Sequence, residues 1–232
     1  MFHFKHFSLS DENVAMKIGT DAVLLGAWTK VSGALKILDI GTGCGIIALM
    51  MAQRSPARVD AVEIDAGSAS QAAVNTDLSP WSDRIKIINS SIQDFSRSCP
   101  STYDLIISNP PYFSNSLKAP SPKRSLARHD DSLPIHQLML AASKLLLPGG
   151  SLNLVFPWDS TDTWLTEAGN LDFHATRLTR VIPREGKSPG RVLAEFRKEL
   201  CPLTESQLLI RSRDGSYTEA YKALTADFYL GL

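Results

Sequence analysis

The stretch Lys36-Ile-Leu-Asp-Ile-Gly-Thr-Gly-Cys-Gly-Ile-Ile-Ala-Leu49 constrains this chain more than any other. Ile37, Leu38 and Ile40 form an apolar run of the kind that a strand covered on both faces requires. Gly41, Gly43 and Gly45 follow at alternate positions, where the backbone must turn sharply and still approach a ligand. The helix expected from about Gly45 points its unpaired N–H groups back at the loop. Such a loop suits a nucleoside cofactor. The dinucleotide fingerprint places its glycines at the first, third and sixth positions. Here the sixth position is Ile46, and the glycines fall at one, three and five behind Asp39.

Asp39-x-Gly41-x-Gly43-x-Gly45 resembles motif I of the Rossmann-like S-adenosylmethionine (SAM) methyltransferases. A dehydrogenase is the competing reading. The resemblance implies an α/β fold of that class I type, a mostly parallel seven-stranded sheet with helices on both faces, and SAM as cofactor. It makes Asp39, Gly41, Gly43 and Gly45 cofactor-site residues. A chain of 232 residues fits one such domain. Residues 1–33 are read as an N-terminal extension whose helix lies over the cofactor pocket, and residues 34–232 as a catalytic core with a C-terminal helix.

Composition excludes several alternatives. Cys44, Cys99 and Cys201 are scattered and odd in number, neither a zinc pattern nor a disulfide framework, which points to a reducing cytoplasm. Cys44 is read as a small residue filling the loop, and no metal site is expected. No apolar run reaches the length of a membrane span. The 24 Lys and Arg balance the 24 Asp and Glu, so a nucleic-acid partner must be held by a local patch.

Phe2, Phe4 and Phe7 suggest a short edge strand covering the core, with a base-stacking platform as the alternative. Met16 to Trp28 reads as a loop and a helix, with Thr20 or Asp21 as N-cap. Both are also second-tier cofactor candidates. Arg58 to Asp65 reads as a second buried strand ending at Glu63, where a carboxylate can accept hydrogen bonds from both ribose hydroxyls. Asp65 is the nearest alternative. Residues Gly67 to Leu78 look helical, and Arg84 to Ile88 reads as a third strand. Asp94 then opens a loop. By resemblance to SAM enzymes it takes the adenine amino group, with Ile92 or Phe95 flanking the ring.

The most specific signal is Asn109-Pro-Pro-Tyr112, at the exit of a fourth strand, Tyr103 to Ser108. Parallel sheets bind ligands at such exits. Two prolines fix the backbone and keep Asn109 out of helical conformation. The turn presents an amide oxygen, a carbonyl and an aromatic ring to one point. An exocyclic amino group, or a side-chain amide, is a poor nucleophile because its lone pair is delocalised. The Asn109 oxygen and the Pro110 carbonyl can hold its two hydrogens and draw the nitrogen towards tetrahedral geometry. Tyr112, beside Pro111, can stack on a planar substrate. Asn109, Pro110 and Tyr112 are the catalytic candidates, and Pro111 and Tyr112 the candidates for holding substrate.

Phe113 to Asp130 carries Lys118, Lys123, Arg124, Arg128 and His129 with no acid before Asp130. It leaves the turn directly, so Lys123, Arg124 and Arg128 are read as phosphate contacts, against an ordinary solvated loop. Ser132 to Leu147 reads as a helix capped by Ser132 or Asp131 and stopped by Pro148-Gly-Gly150. A fifth strand, Ser151 to Phe156, a helix, Thr161 to Gly169, and two β-like runs, Phe173 to Pro183 and Gly190 to Phe196, follow. Arg177, Arg180, Arg184, Lys187, Arg191, Arg197 and Lys198 could extend a positive surface, with a solvated hairpin face the equal alternative. Tyr217 to Tyr229 reads as an amphipathic C-terminal helix.

Taken together, the chain resembles the bacterial tRNA N6-adenine methyltransferases that modify adenine 37, beside the anticodon, in a valine tRNA. The resemblance rests on Met16-Lys-Ile-Gly-Thr-Asp21, Leu24-Leu-Gly-Ala-Trp28, the glycine loop, Val62-Glu-Ile-Asp65, Asn109-Pro-Pro-Tyr-Phe113, Ala127-Arg-His-Asp130 and Asp227-Phe-Tyr-Leu230. It implies that Glu63 and Asp94 bind SAM, that Asn109 to Tyr112 hold the base, and that the partner is the anticodon stem-loop of tRNA. Release-factor glutamine methyltransferases share Asn-Pro-Pro-Tyr but resemble a pattern with Glu-Pro and Gly-Gly-x-Asp-Gly-Leu downstream, which is absent here. A DNA or ribosomal RNA amino-methyltransferase, or a catalytically silent SAM- or RNA-binding subunit, completes the alternatives.

Overall fold

The computed structural model describes residues 1–12, 14, 16–111 and 134–231. A small antiparallel hairpin, β1 (Phe2–His3) and β2 (Ser8–Leu9), precedes the main sheet. The sheet contains β3 (Lys36–Ile40), β4 (Arg58–Glu63), β5 (Ile85–Asn89), β6 (Tyr103–Ser108), β7 (Leu146–Pro157), β8 (His174–Ile182), β9 (Arg191–Arg197) and β10 (Thr204–Leu209). Their spatial order is β10-β8-β9-β7-β6-β3-β4-β5. All run in one direction except β9, which is antiparallel to both its neighbours.

Alternation along the strands sorts side chains to two faces. Ile37, Ala61, Leu105, Ile107, Val155 and Leu193 pack with α1 (Thr20–Trp28), α2 (Ile46–Arg54), the N-terminal hairpin and Tyr221 of the last helix. Leu38, Ile40, Ile106, Leu154, Phe156 and Phe196 pack with the helices of the opposite layer. Those are α4 (Ile92–Ser98), α5 (Ile135–Leu145) and α6 (Thr161–Gly169). α3 (Ala66–Asp77) packs along β4 and β5, and α7 (Glu219–Thr225) lies against α1. Helix α2 is apolar all round because Ile46 to Ala52 are all buried.

Several expectations need correction. Among the described residues the sheet has eight strands, not seven. β10 was missed because Thr204, Glu205, Ser206 and Gln207 are exposed on an edge and carry no apolar alternation. Phe4 and Phe7 do cover the core, but from a separate hairpin and not as an edge of the main sheet. Phe4 stacks on Phe7, whose ring meets the edge of Trp81. The N-cap of α1 is Gly19, which makes no side-chain cap bond, so neither Thr20 nor Asp21 caps. Helix α5 begins after Pro134 and ends at Leu145, and β7 begins directly at Leu146.

Pro148-Gly-Gly150 is therefore part of a strand run and not a helix stop. A Cβ on Gly150 would lie 2.9 Å from the carbonyl oxygens of both Asp104 and Leu147. Backbone cannot retreat as a flexible side chain can, so Gly150→Ala is expected to destabilise the fold by about 1–3 kcal/mol. An unchanged urea midpoint would show that the β6–β7 contact has slack.

Candidate active site

The site forms where β3, β4 and β6 end side by side. Gly41, Gly43 and Gly45 all adopt positive φ, at 71°, 58° and 87°. The loop is pinned to the next strand, because Gly41 N and Thr42 N both donate to the Val62 carbonyl, at 2.8 and 3.2 Å. Gly45 packs closely on α3, its would-be Cβ 3.5 Å from Ala72 Cβ. At Gly41 and Gly43 a Cβ would meet nothing within 4 Å. These two glycines thus serve the turn itself and leave open space above it.

Glu63 ends β4 and is 8% exposed. Gly43 N donates to its Oε2 at 2.8 Å and Asp65 N donates to its Oε1 at 2.9 Å. Each oxygen thereby holds one backbone N–H and keeps acceptor capacity for a further hydroxyl. Asn89 Nδ2 and Ser90 N both donate to the Glu63 carbonyl, fixing its backbone to the end of β5. Asp65, the alternative, is the N-cap of α3. It accepts from Ser68 N and Oγ, and these bonds hold its carboxyl below the usual range.

Asp39 lies beneath the loop and is fully buried. Thr42 Oγ1 donates to its Oδ2 at 2.5 Å. Burial pushes its pKa up to about 7, opposed by the Thr42 hydroxyl and the Ala48 N–H and reinforced by the negative charge of Glu63. It supports the loop and is closed to solvent. Burial likewise pushes the Cys44 thiol up to about 11, which suits a space-filling residue and not a nucleophile.

Asn109 leaves β6 directly opposite the glycine loop. Ile40 and Ser108 are partners in register, and Ser108 Oγ donates to the Ile40 carbonyl at 2.7 Å. Pro110 is buried, while Asn109 and Pro111 are half-buried. The proline turn therefore starts one strand away from the turn at Gly41. Tyr112, Lys123, Arg124, Arg128 and the rest of the Phe113–Asp130 segment lie outside the described residues, as do Asp131 and Ser132.

Five candidates sit differently from expectation. Asp94 is not in a loop but in the first turn of α4, and it is exposed. It accepts from Ser91 Oγ at 2.7 Å and from Arg97 Nη2 at 2.6 Å, and these two groups hold its carboxyl below the usual range. Ile92 and Phe95 are buried in the core. Asp21 accepts from Arg191 Nε at 2.7 Å and so ties α1 to β9, while Thr20 is exposed at the start of α1.

Of the two equal readings of Arg177 to Lys198, the positive surface is the one that ion pairing reduces. Arg177 lies 3.5 Å over the Trp28 ring and pairs with Glu195, which also takes Arg197. Arg180 pairs with Glu205.

One residue near the loop escaped the sequence reading and another sits differently from it. Asn75, 2% exposed, donates to the carbonyls of Cys44 and Ser10, both at 2.8 Å, and accepts from Ser10 N. Its signal was a lone amide on an alanine-rich helix. Ile64, expected inside the buried second strand, instead lies just past its end at Glu63 and is 64% exposed. Among the described residues no cluster of His, Cys, Asp and Glu could hold a metal, and no helix is long and apolar enough to cross a membrane.

Comparison with known proteins bears on this geometry. The model of the methyltransferase small domain matches residues 15–161. A tRNA1(Val) (adenine(37)-N6)-methyltransferase of Aeromonas hydrophila is 45% identical over 99% of this chain and 97% of its own. One of Bacteroides thetaiotaomicron is 44% identical over 100% and 98%. In fold, the chain is similar to the crystal structure of a predicted O-methyltransferase from Agrobacterium tumefaciens, with a TM-score of 0.71 and 21% identity over 90% of this chain and 96% of that one. It is also similar to the 16S rRNA N2 G1207 methyltransferase of T. thermophilus in complex with AdoMet and guanosine, with a TM-score of 0.55 and 20% identity over 80% of this chain and 45% of that one. Its glycine loop, strand-end carboxylate and proline turn occur in a full-length match to these relatives, and the chain belongs to the tRNA1(Val) (adenine(37)-N6)-methyltransferase family.

Proposed function

We propose that this protein transfers a methyl group from SAM to the N6 amino group of adenine 37 in the anticodon loop of a valine tRNA. The observation that carries the reading is the pairing of Ser108 with Ile40, which sets Asn109-Pro110 and the glycine loop side by side. A methyl donor and an amino acceptor must meet within bonding reach, and here a donor loop and an acceptor turn adjoin. The cysteines are all free, which suits the reducing cytoplasm.

The residues present fit SAM. Open space above Gly41 and Gly43 admits the methionine portion, and the two oxygens of Glu63 retain capacity for the two ribose hydroxyls. Ile64 would flank the adenine, and Asp94 at the start of α4 would take its amino group. Asp39 would act from below by shaping the loop. When bound, the cofactor supplies an electrophilic methyl group on a sulfonium.

The rest of the chemistry belongs to this chain. The Asn109 oxygen and the Pro110 carbonyl accept the two hydrogens of the target amino group, whose lone pair then points at the glycine loop. Both acceptors also stabilise the positive charge that grows on nitrogen as it attacks. The N–C bond forms as the S–C bond breaks and leaves the thioether, and one of the amino group's own protons becomes acidic only in that step, so positioning precedes any proton transfer. Tyr112 stacks on the adenine, and Lys123, Arg124 and Arg128 hold the neighbouring phosphates. An unpaired loop lowers the cost of taking a base out of its stack.

The direct test incubates the protein with labelled SAM and unmodified tRNA, then identifies the methylated nucleoside. N6-methyladenosine at position 37 is the expected product; label in protein alone would overturn the reading in favour of a glutamine substrate. Glu63→Ala should weaken SAM binding by about 1.5–3 kcal/mol, the contribution of charge-assisted contacts. Calorimetric titration reads that change, and an unaltered affinity would remove Glu63 from the ribose site.

A further inference from the structure

Trp158 has no part in the site described above, yet it stands beside it. It follows the last residue of β7 in a short 3₁₀ turn, Trp158–Ser160, and is 38% exposed. The turn is fixed on every side. Trp158 N donates to the Gly190 carbonyl, Ser160 Oγ to the Pro157 carbonyl and Thr161 Oγ1 to the Trp158 carbonyl. The Arg180 guanidinium lies 5.7 Å from the ring centre and is itself held by Glu205.

Strand geometry gives its distance from the chemistry. β7 neighbours β6 with Leu154 opposite Ser108, so Trp158 stands three residues further along the strand direction than Asn109. At about 3.3 Å per residue and about 4.8 Å between strands, the separation is roughly 11 Å, outward from the sheet edge. That is the direction from which a large substrate must approach. It is also the reach of a nucleotide flanking a base held at Asn109.

The same edge carries exposed positive charge. Arg184 and Lys187 lie on the loop between β8 and β9, and Arg213 lies on the loop after β10, 85% exposed with its guanidinium 3.8 Å from Glu185. The two loops are joined by Glu185 N donating to the Arg211 carbonyl and Arg184 Nη2 donating to the Arg213 carbonyl. β8 is three strands from β6, so this corner lies about 14 Å to the side of Asn109. A flat aromatic ring next to cations at this spacing fits single-stranded nucleic acid, which offers bases to stack and phosphates to pair.

We propose that Trp158 is a stacking platform for an RNA base beside the methylated one, and that Arg184, Lys187 and Arg213 take the phosphates leading away from it. The proposal rests on the RNA reading of the site but can be tested apart from methylation. Trp28 and Trp164 are buried and Trp81 half-buried, so a base stacking on exposed Trp158 dominates any quenching of tryptophan fluorescence. Titrating an unmodified anticodon stem-loop RNA should quench the wild-type protein, and Trp158→Phe should lose that quench. Trp158→Ala should raise the dissociation constant for the RNA about 10-fold, with SAM affinity unchanged as the control for folding. Lys187→Ala with Arg213→Ala should lower the slope of log affinity against log salt by about 1.4.

An undiminished quench in Trp158→Phe, or no RNA binding by the wild type, overturns the proposal. Binding with the expected quench but no N6-methyladenosine keeps this surface and overturns the reaction assigned above. Weaker binding of a glutamine-bearing peptide by Trp158→Ala, without any effect on RNA, overturns it in favour of a protein substrate.

Discussion

Asn109→Ala is expected to lower the rate of methyl transfer by about 100- to 1000-fold while leaving SAM affinity close to that of the wild type. Asn109 follows β6 beside Ile40, whereas the oxygens of Glu63 accept from Gly43 N and Asp65 N, so the substitution is expected to act on the amino-group contact and not on the ribose site. A hydrogen-bond acceptor that strengthens as charge develops contributes about 3–4 kcal/mol to the transition state, which is the stated range of rates. Single-turnover measurement with saturating tRNA separates this loss from weaker RNA binding. A rate near wild type, or a collapse of SAM affinity, would show that Asn109 does something else.

Asp39 gives the second large effect, on stability. Its folded-state pKa of about 7 lies above the unfolded carboxylate value, so between roughly pH 4 and 7 the native state holds a proton that the unfolded chain has released. The sign follows directly. The contribution of this group is fully favourable below the unfolded pKa and is lost as pH rises through the folded one. A displacement of this size corresponds to about 4 kcal/mol. Asp39→Asn keeps an acceptor for Thr42 without the charge, so its stability should fall less than that of the wild type between pH 5 and 8. Urea denaturation of both proteins at the two pH values reads the difference, and parallel pH dependence would place the titration elsewhere.

Much of this site was legible in the sequence because its parts are backbone-driven. A covered strand, alternate glycines and a strand-end acid have few ways to fold, and Gly41, Gly43, Gly45 and Glu63 fall where that logic puts them. Tyr103 to Ser108 matches its expected limits residue for residue, since two prolines end it. What failed depended on partners distant in the chain. Nothing local to Asp21 announces Arg191, 170 residues away, and nothing near Ser10 announces Asn75. Asp94 looked like a loop acid because Ser91 as a cap, four residues before a single buried aromatic, is a weak helix signal. Pro148-Gly-Gly150 reads as a helix stop unless the neighbouring strand that crowds Gly150 is known.

The unforeseen eighth strand has a consequence for how the molecule meets its surroundings. A sheet that ends in an apolar strand exposes a row of backbone donors and acceptors to any passing chain, which is how aggregates begin. Here the terminal position is occupied by Thr204, Glu205, Ser206 and Gln207, with Pro202 just before them. Strands β8 and β9 are thereby moved inward, and the outermost strand offers water four consecutive polar side chains before Leu208 and Leu209. A strand that adds little to the core therefore acts as a guard for it, and the longest hydrophobic runs of this sheet never form its rim.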